Sequence, residues 1–420
     1  MKKFLPLYIL LLICAPVFAN YTYDEIKSDP NKAGGVYYAY PVYSRFDTPA
    51  PEGYKPFYIS HIGRHGSRYL LKETDYTNPI NSLRLAHKNG FLTPYGYSLY
   101  ISLQKLYSLA KDRAGDLTEI GVNQHKQIAK RMMKACPEVF ADSNEIVAHS
   151  TMVMRCAMSM AAFTESLKEE NPQLRITREP SERHVKYLSH QSQEMKSYND
   201  ADGPWQKEYK AYRSAHAPYK TFLPKIFSDS VFVKDNINAV NFTCQMYNIA
   251  IDMQNLPVKV DIGDLFSVDE LFELWKIYNF RMYAHYSDYY PSHGVVIKSS
   301  TPLLSDIIQR ADSAIRYDRK GADLRFGHDI NIIPLTALIG FDGCDNVVSS
   351  PEEVDCVFQD YRISPMASNI QIIFYKNQDD NIIVKFMLNE REIGIPCETD
   401  KYPFYDWEDA KSYLTERIEK

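Results

Sequence analysis

None of the cysteine spacings in this 420-residue chain suits a zinc site, so neither a metal nor any other cofactor is expected. Positive charge is not in surplus either. The formal net charge is −5, and removal of Lys2 and Lys3 with an N-terminal leader would take it to −7. Such a chain has no global attraction for polyanions, which argues against nucleic acid as the partner. An anionic ligand must then be held by a local concentration of basic groups. Beyond residue 13 no stretch is long and apolar enough to cross a bilayer. Internal repeats and low-complexity tracts are absent too. What remains is a chain of 45% hydrophobic content, able to bury a substantial core in two or three domain-sized units at most. The 32 tyrosines are scattered, and ordinary packing accounts for most of them.

The N-terminus reads as a targeting segment. Lys2 and Lys3 precede an apolar run from Phe4 to Ile13, and Val17-Phe18-Ala19 fits a small-residue cleavage site. Residues 1–19 are therefore expected to be a signal peptide and the protein to be exported, periplasmic or secreted. Lipid anchoring at Cys14 is the alternative, with Ile13 a poor residue before a lipidated cysteine. The remaining six cysteines, Cys136, Cys156, Cys244, Cys344, Cys356 and Cys397, are an even number in an exported chain, which permits disulfides. Cys344 and Cys356, separated by a short loop with Pro and Glu, are the expected pair. Cys156 lies in an apolar helical pattern and reads as a buried thiol.

Strand and helix signals alternate through the first part of the chain. Phe57–His61 reads as a short buried strand, the leucines 99, 103 and 106 recur at helical spacing, and Thr118 is a candidate N-cap. Glu145–His149 reads as another strand, followed by a helix to Leu167. This alternation implies an α/β fold with a mainly parallel sheet flanked by helices. It fades between Glu179 and Ser300, where short helical patterns and a capping box at Ser267–Glu270 dominate. Residues 179–300 are thus expected to form a mostly helical insertion into an α/β catalytic domain made of 20–178 and 301–420. A helix from Pro302 to Ile315 and a strand at Asp323–Gly327 follow, with a late hairpin at Gln371–Tyr375 and Ile382–Leu388.

The most informative run is Ile59-Ser60-His61-Ile62-Gly63-Arg64-His65-Gly66-Ser67-Arg68-Tyr69. It sets one imidazole between two guanidiniums directly after an apolar strand. Arginine forks match phosphate oxygens bidentately, and a neutral imidazole between them can attack phosphorus. A second cluster, Arg325-Phe326-Gly327-His328-Asp329, lies far downstream, also after a strand. Ligands of open α/β sheets bind beyond the carboxyl ends of the strands, so one crevice can collect both clusters.

These segments resemble the histidine acid phosphatase branch (branch 2) of the histidine phosphatase superfamily, nearest the multiple inositol polyphosphate phosphatases and phytases. The resemblance extends to Leu117-Thr118-Glu119-Ile120-Gly121 with Gln124, and to Ser150–Phe163 with Arg155. It implies a phosphoglycerate mutase-like sheet and a small-molecule phosphomonoester as partner, with inositol polyphosphate foremost. It implies His65 as nucleophile, Asp329 as proton donor, and Arg64, Arg68, Arg155 and His328 as phosphate-binding groups. The chain departs from the inositol polyphosphate phosphatase pattern in carrying His328-Asp329 where those enzymes commonly have His-Ala-Glu. Tyr69-Leu70-Leu71 likewise replaces the Tyr-Pro-Thr of many relatives.

Each residue also has a plainer reading. Arg155 is open to being a surface residue of its helix, and Asp329 to being an N-cap. His61 and His149 fit packed strand positions, and Tyr69 a place under the loop. Arg175, Arg178, Arg183, His184, Lys186 and Lys196 are either contacts for extra substrate phosphates or a solvated surface. Besides phytate hydrolysis, the resemblance allows a broad acid phosphatase acting on sugar phosphates or 2,3-bisphosphoglycerate. A non-catalytic phosphate-binding protein would need neither His65 nor Asp329.

Overall fold

In the computed structural model, residues 21–42 and 47–419 are described. The leader expectation, with Ala19 and Cys14, lies outside the described residues. Eight strands form one sheet: β1 (Lys55–Arg64), β2 (Glu145–Ser150), β3 (Arg175–Pro180), β4 (Gly321–Gly327), β5 (Asn369–Lys376), β6 (Ile382–Leu388), β7 (Arg391–Glu392) and β8 (Phe404–Asp406). Their order is β3-β2-β4-β1-β5-β6-β7, with β8 also on β6. The β3, β2, β4 and β1 strands run parallel, whereas β5 onward is antiparallel. The α/β expectation holds, and the late hairpin makes the sheet mixed.

Alternation along β1 gives the sheet two buried faces. Ile59 joins a core with Leu324, Phe326, Phe163 and Ile373, under the helices Glu119–Ala135 and Met154–Glu170. Tyr58 and Ile62 join the larger core on the other face. His61 packs between Phe163 and Phe326, as its strand position suggested. The larger core continues into the helices between 185 and 315, and also takes in the helices Glu73–Lys88 and Pro94–Ala110. There Gly96 is needed for close approach, since a Cβ would lie 2.2 Å from the Ile226 carbonyl oxygen. The capping box at Ser267 and Glu270 opens the helix Val268–Tyr286 as expected. No helix among the described residues is long and apolar enough to cross a membrane.

Cys344 and Cys356 are not bonded. Cys344 is buried and Cys356 exposed, because the loop between them is pinned to the helix Val268–Tyr286 instead of folding back on itself. Val348 N donates to the Tyr283 hydroxyl, which donates to the Asn346 carbonyl. Cys156 is a buried thiol, as its apolar surroundings suggested.

Candidate active site

Parallel pairing sets Arg64 against Gly327 and Ser150 against Phe326. The carboxyl ends of β1, β4 and β2 therefore stop together, and the loops that leave them share one crevice. This register places the two motif clusters side by side across some 260 residues of chain.

The Leu-Thr-x-x-Gly segment shapes the first loop. Thr118 caps its helix, and its backbone N–H and hydroxyl both donate to the Ser67 carbonyl at 2.9 and 3.1 Å. Glycine is required at both 66 and 121. A Cβ on Gly121 would lie 2.3 Å from the Ser67 oxygen, and one on Gly66 would lie 2.6 Å from the Gly121 Cα. Gln124 completes the clamp, accepting from Ser67 N at 2.9 Å and donating to its hydroxyl at 2.9 Å.

At the loop's centre His65 is 2% exposed. Its Nδ1 lies 2.9 Å from the Gly66 carbonyl, so Nδ1 carries the hydrogen and Nε2 the lone pair. Burial first, and then the charges of Arg64, Arg68 and Arg155, hold this imidazole well below its ordinary pKa. The ring is neutral and nucleophilic at Nε2 throughout the physiological range.

Three guanidiniums surround it. Arg64 is fully buried, held by the carbonyls of Val36 and Ser364, and reaches Asp329 at 3.3 Å. Arg68 donates to the Tyr69 carbonyl and to the Tyr37 hydroxyl, with its guanidinium 4.8 Å from the centre of the Tyr37 ring. Arg155, on the helix after β2, is half-buried and approaches His328 Nδ1 at 3.5 Å. The Nε atoms of all three are buried without a hydrogen-bond partner.

His328 stands 5.5 Å from His65, ring centre to ring centre. Burial, with Arg155 next, lowers it to about 4. Arg155 on one nitrogen and Thr151 3.5 Å from the other favour a neutral ring that can donate through Nε2.

Asp329 is not the N-cap that one reading allowed. His328 occupies that position, with its N–H donated to the Asn331 side chain, and Asp329 is the first helical residue. Burial alone would raise the Asp329 carboxyl, but Arg64, His328 and Arg68 outweigh it, and the net shift is downward. In the free protein it is a carboxylate on Arg64.

Several contributors have no motif to announce them. Tyr37 accepts from Arg68. Asn255, fully buried, accepts from the Ser67 hydroxyl at 2.6 Å and donates to the Tyr37 carbonyl at 2.8 Å. Its neighbour Asp252 is buried beside Arg68, and burial pushes its carboxyl up to about 7 against the pull of that arginine. Only the capping preference of Asn and Asp near helix ends could have drawn attention to them.

Conversely, most of the basic cluster after Leu174 is used elsewhere. Arg175 and Arg178 lie on the edge strand β3 and bond Ser143 and Thr164. Arg183 pairs with Glu179, and His184 is buried beside His149. Lys186 and Lys196 are exposed. Tyr69 packs under the loop, with Arg113 against its ring. A cavity of about 1060 Å³ beside Asn381 and Ile383 sits at the other end of the sheet, and its Asp342, Asp400, Asp406 and Asp409 repel phosphate.

A neutral imidazole among three arginines, on the carboxyl edge of an α/β sheet, defines a phosphoryl-transfer enzyme of the histidine type. The chain belongs to the histidine phosphatase superfamily (branch 2), whose family model matches residues 59–389. Among curated proteins it is similar to multiple inositol polyphosphate phosphatase 1 of Gallus gallus, 23% identical over 403 residues, covering 88% of this chain and 83% of that one. Its fold is similar to the multiple inositol polyphosphate phosphatase of Bifidobacterium longum, solved in complex with inositol hexasulfate. That match has a TM-score of 0.75 and 16% identity, and covers 91% of this chain and 97% of the other. The phytase of D. castellii matches with a TM-score of 0.66 and 14% identity over 92% and 85% of the two chains.

Proposed function

We propose that this protein is an exported phosphomonoesterase that removes phosphate from inositol polyphosphates through a phosphohistidine intermediate. The observation that carries the chemistry is His65, uncharged and oriented by the Gly66 carbonyl within a ring of three arginines. Likeness to the inositol polyphosphate phosphatases supports the substrate class. Lys2, Lys3 and the apolar run before Ala19 support export.

In the first step His65 Nε2 attacks phosphorus, a P–N bond forms and the ester P–O bond breaks. Asp329 gives its proton to the departing alkoxide. In the second step water attacks the phosphohistidine, Asp329 takes the water's proton, and inorganic phosphate leaves. Arg64, Arg68, Arg155 and His328 hold the non-bridging oxygens and balance their charge.

The ion pair between Arg64 and Asp329 couples binding to acid catalysis. Phosphate draws Arg64 away, so Asp329 loses the cation that kept it ionised and gains an anionic neighbour. Both changes raise its pKa, and the acid it needs to be forms only with substrate in place. This favours turnover on the acid side of neutrality.

A broad acid phosphatase is the second reading, and one observation favours it. Leu71 and Met152 on loops, and Met154 and Met158 on the first turns of the helix that carries Arg155, are exposed around it, where a site for a polyphosphate would gain from basic residues. Steady-state kinetics on phytate, glucose phosphate and para-nitrophenyl phosphate separate the two. A kcat/KM for phytate well above the others supports the inositol polyphosphate reading. No preference for phytate rejects it and leaves the broad phosphatase.

A further inference from the structure

Away from the arginine pocket, His149, Glu179 and His184 form a second cluster. Parallel pairing of β2 with β3 sets His149 directly beside Glu179, and the single turn Glu182–His184 brings His184 back over them. The two rings stack 4.0 Å apart at 19°. They are also oriented alike. Both Nδ1 atoms face the Tyr187 hydroxyl, at 3.0 and 2.8 Å, and both Nε2 atoms face Glu179 Oε2, at 3.9 and 3.3 Å.

A chain of hydrogen bonds through Tyr187 accounts for the Nδ1 atoms. It leaves His184 Nε2, in a residue 3% exposed, facing Glu179 Oε2 at 3.3 Å without the alignment of a hydrogen bond. An unpartnered ring nitrogen costs desolvation energy that a ligand would restore.

We propose that His149, Glu179 and His184 bind one divalent cation of the borderline class, zinc foremost. Two imidazole nitrogens and one carboxylate oxygen suit that class, whereas calcium and magnesium prefer oxygen donors throughout. The three donor atoms already lie within 4.8 Å of one another. Tetrahedral ligands at about 2.0–2.1 Å from zinc stand roughly 3.3–3.5 Å apart, and the rings now lie nearly parallel, so closure needs them to unstack until both Nε2 atoms point at one ion. Tyr187 holds the rings by accepting from both Nδ1–H groups in the loaded state. Arg183 now occupies Glu179 Oε2, but it is 69% exposed and withdraws into solvent. Glu179, 29% exposed, gives the ion its path in and leaves the fourth position to water. Thus the ion fastens β2 to β3 and to the turn where the chain leaves the sheet.

Dialysis of the untagged full chain against micromolar zinc, followed by elemental analysis, tests this. One zinc per chain is expected, with a higher unfolding temperature than the chelated protein. Cobalt in its place should give the intense visible bands of a four-coordinate site. His184→Gln and His149→Gln should weaken zinc binding at least about tenfold, as loss of a ligand does. Arg183→Ala should keep the stoichiometry and tighten binding by freeing the carboxylate. Absence of retained metal in the wild-type chain overturns the proposal, as does unchanged affinity in a folded His184→Gln protein. Should the glutamine variants not fold, a six-coordinate cobalt spectrum, or zinc binding indifferent to Arg183→Ala, overturns it as well.

Discussion

Two arginine triads gather around strands of this sheet, one at Arg64 and one at Arg325, and they differ in how far their charge is met. Arg310, Arg319 and Arg325 share Asp306 and Asp323: Arg325 lies 2.8 Å and Arg310 3.1 Å from Asp306, and Arg310 and Arg319 both reach Asp323. Tyr58 also donates to Asp323. Both carboxyls stay below their ordinary pKa, since Arg325 and its neighbours outweigh the effect of burial. Arg64, Arg68 and Arg155 have one paired carboxylate, Asp329, while the buried carboxyl near Arg68, Asp252, is pushed up to about 7. The first triad is a nearly balanced structural network, whereas the second keeps a positive excess that suits a phosphate dianion. Arginine content alone does not separate a scaffold from a site; the number of committed carboxylates does.

The strongest way to break this contrast is to remove the proposed nucleophile. His65→Ala should lower turnover at least about 10³-fold on any phosphomonoester. The protein should stay folded with a modestly lower unfolding midpoint, because a buried, uncharged ring is removed; activity assays and thermal melts check both.

Acid should strain the imidazole side before the structural triad. His61 and His125 are buried beneath the catalytic loop and lowered to about 3, chiefly by burial. In the unfolded chain they titrate near their ordinary value of about 6.5. The unfolded state therefore binds more protons between these values. Stability is fully present above about 6.5 and is lost as pH falls toward 3, by up to roughly 4–5 kcal/mol per ring. Urea titrations at pH 7 and pH 4 measure the loss, and His125→Phe should flatten it.

Arg325→Ala and Arg155→Ala should split cleanly. Loss of Arg325 leaves Asp306 short of charge and costs about 3–5 kcal/mol of stability. Arg155→Ala should cost little stability while raising KM and lowering kcat. Equal stability losses for the two would erase the distinction between the triads.

Asp329→Asn should slow alkyl phosphates by about 10²–10⁴-fold and aryl phosphates much less, since only a poor leaving group needs the proton. An equal loss on both would remove the proton-donor role. Smaller still, Asn255→Ala releases Ser67 and Tyr37 and should lower kcat/KM on the order of 10²-fold through displacement of Arg68. Rescue by Asn255→Asp is not expected, because a carboxylate cannot donate to the Tyr37 carbonyl as the amide does.

The strands before both motifs, the Thr118 cap, the Ser267–Glu270 box and the late hairpin were legible because each rests on local periodicity or on a neighbour three residues away. The specificity residues were not. Arg175 and Arg178 were open to being substrate contacts or solvated surface, and the edge strand turns them to Ser143 and Thr164. The Cys344–Cys356 pair looked close along the chain, but tertiary contacts with Tyr283 draw the loop elsewhere.

By itself the sequence determined which reactive groups this protein owns and which of them share a short rigid loop, since Arg64, His65 and Arg68 are fixed by covalent neighbourhood. Only the tertiary structure decided that burial keeps His65 uncharged, that Arg155 approaches His328 while Arg325 pairs with Asp306, and that Tyr37 and Asn255 bond the loop. The reason is that charge state and spare hydrogen-bonding capacity depend on burial and on partners from distant segments. The register of β1 against β4 and β2 brings those segments together.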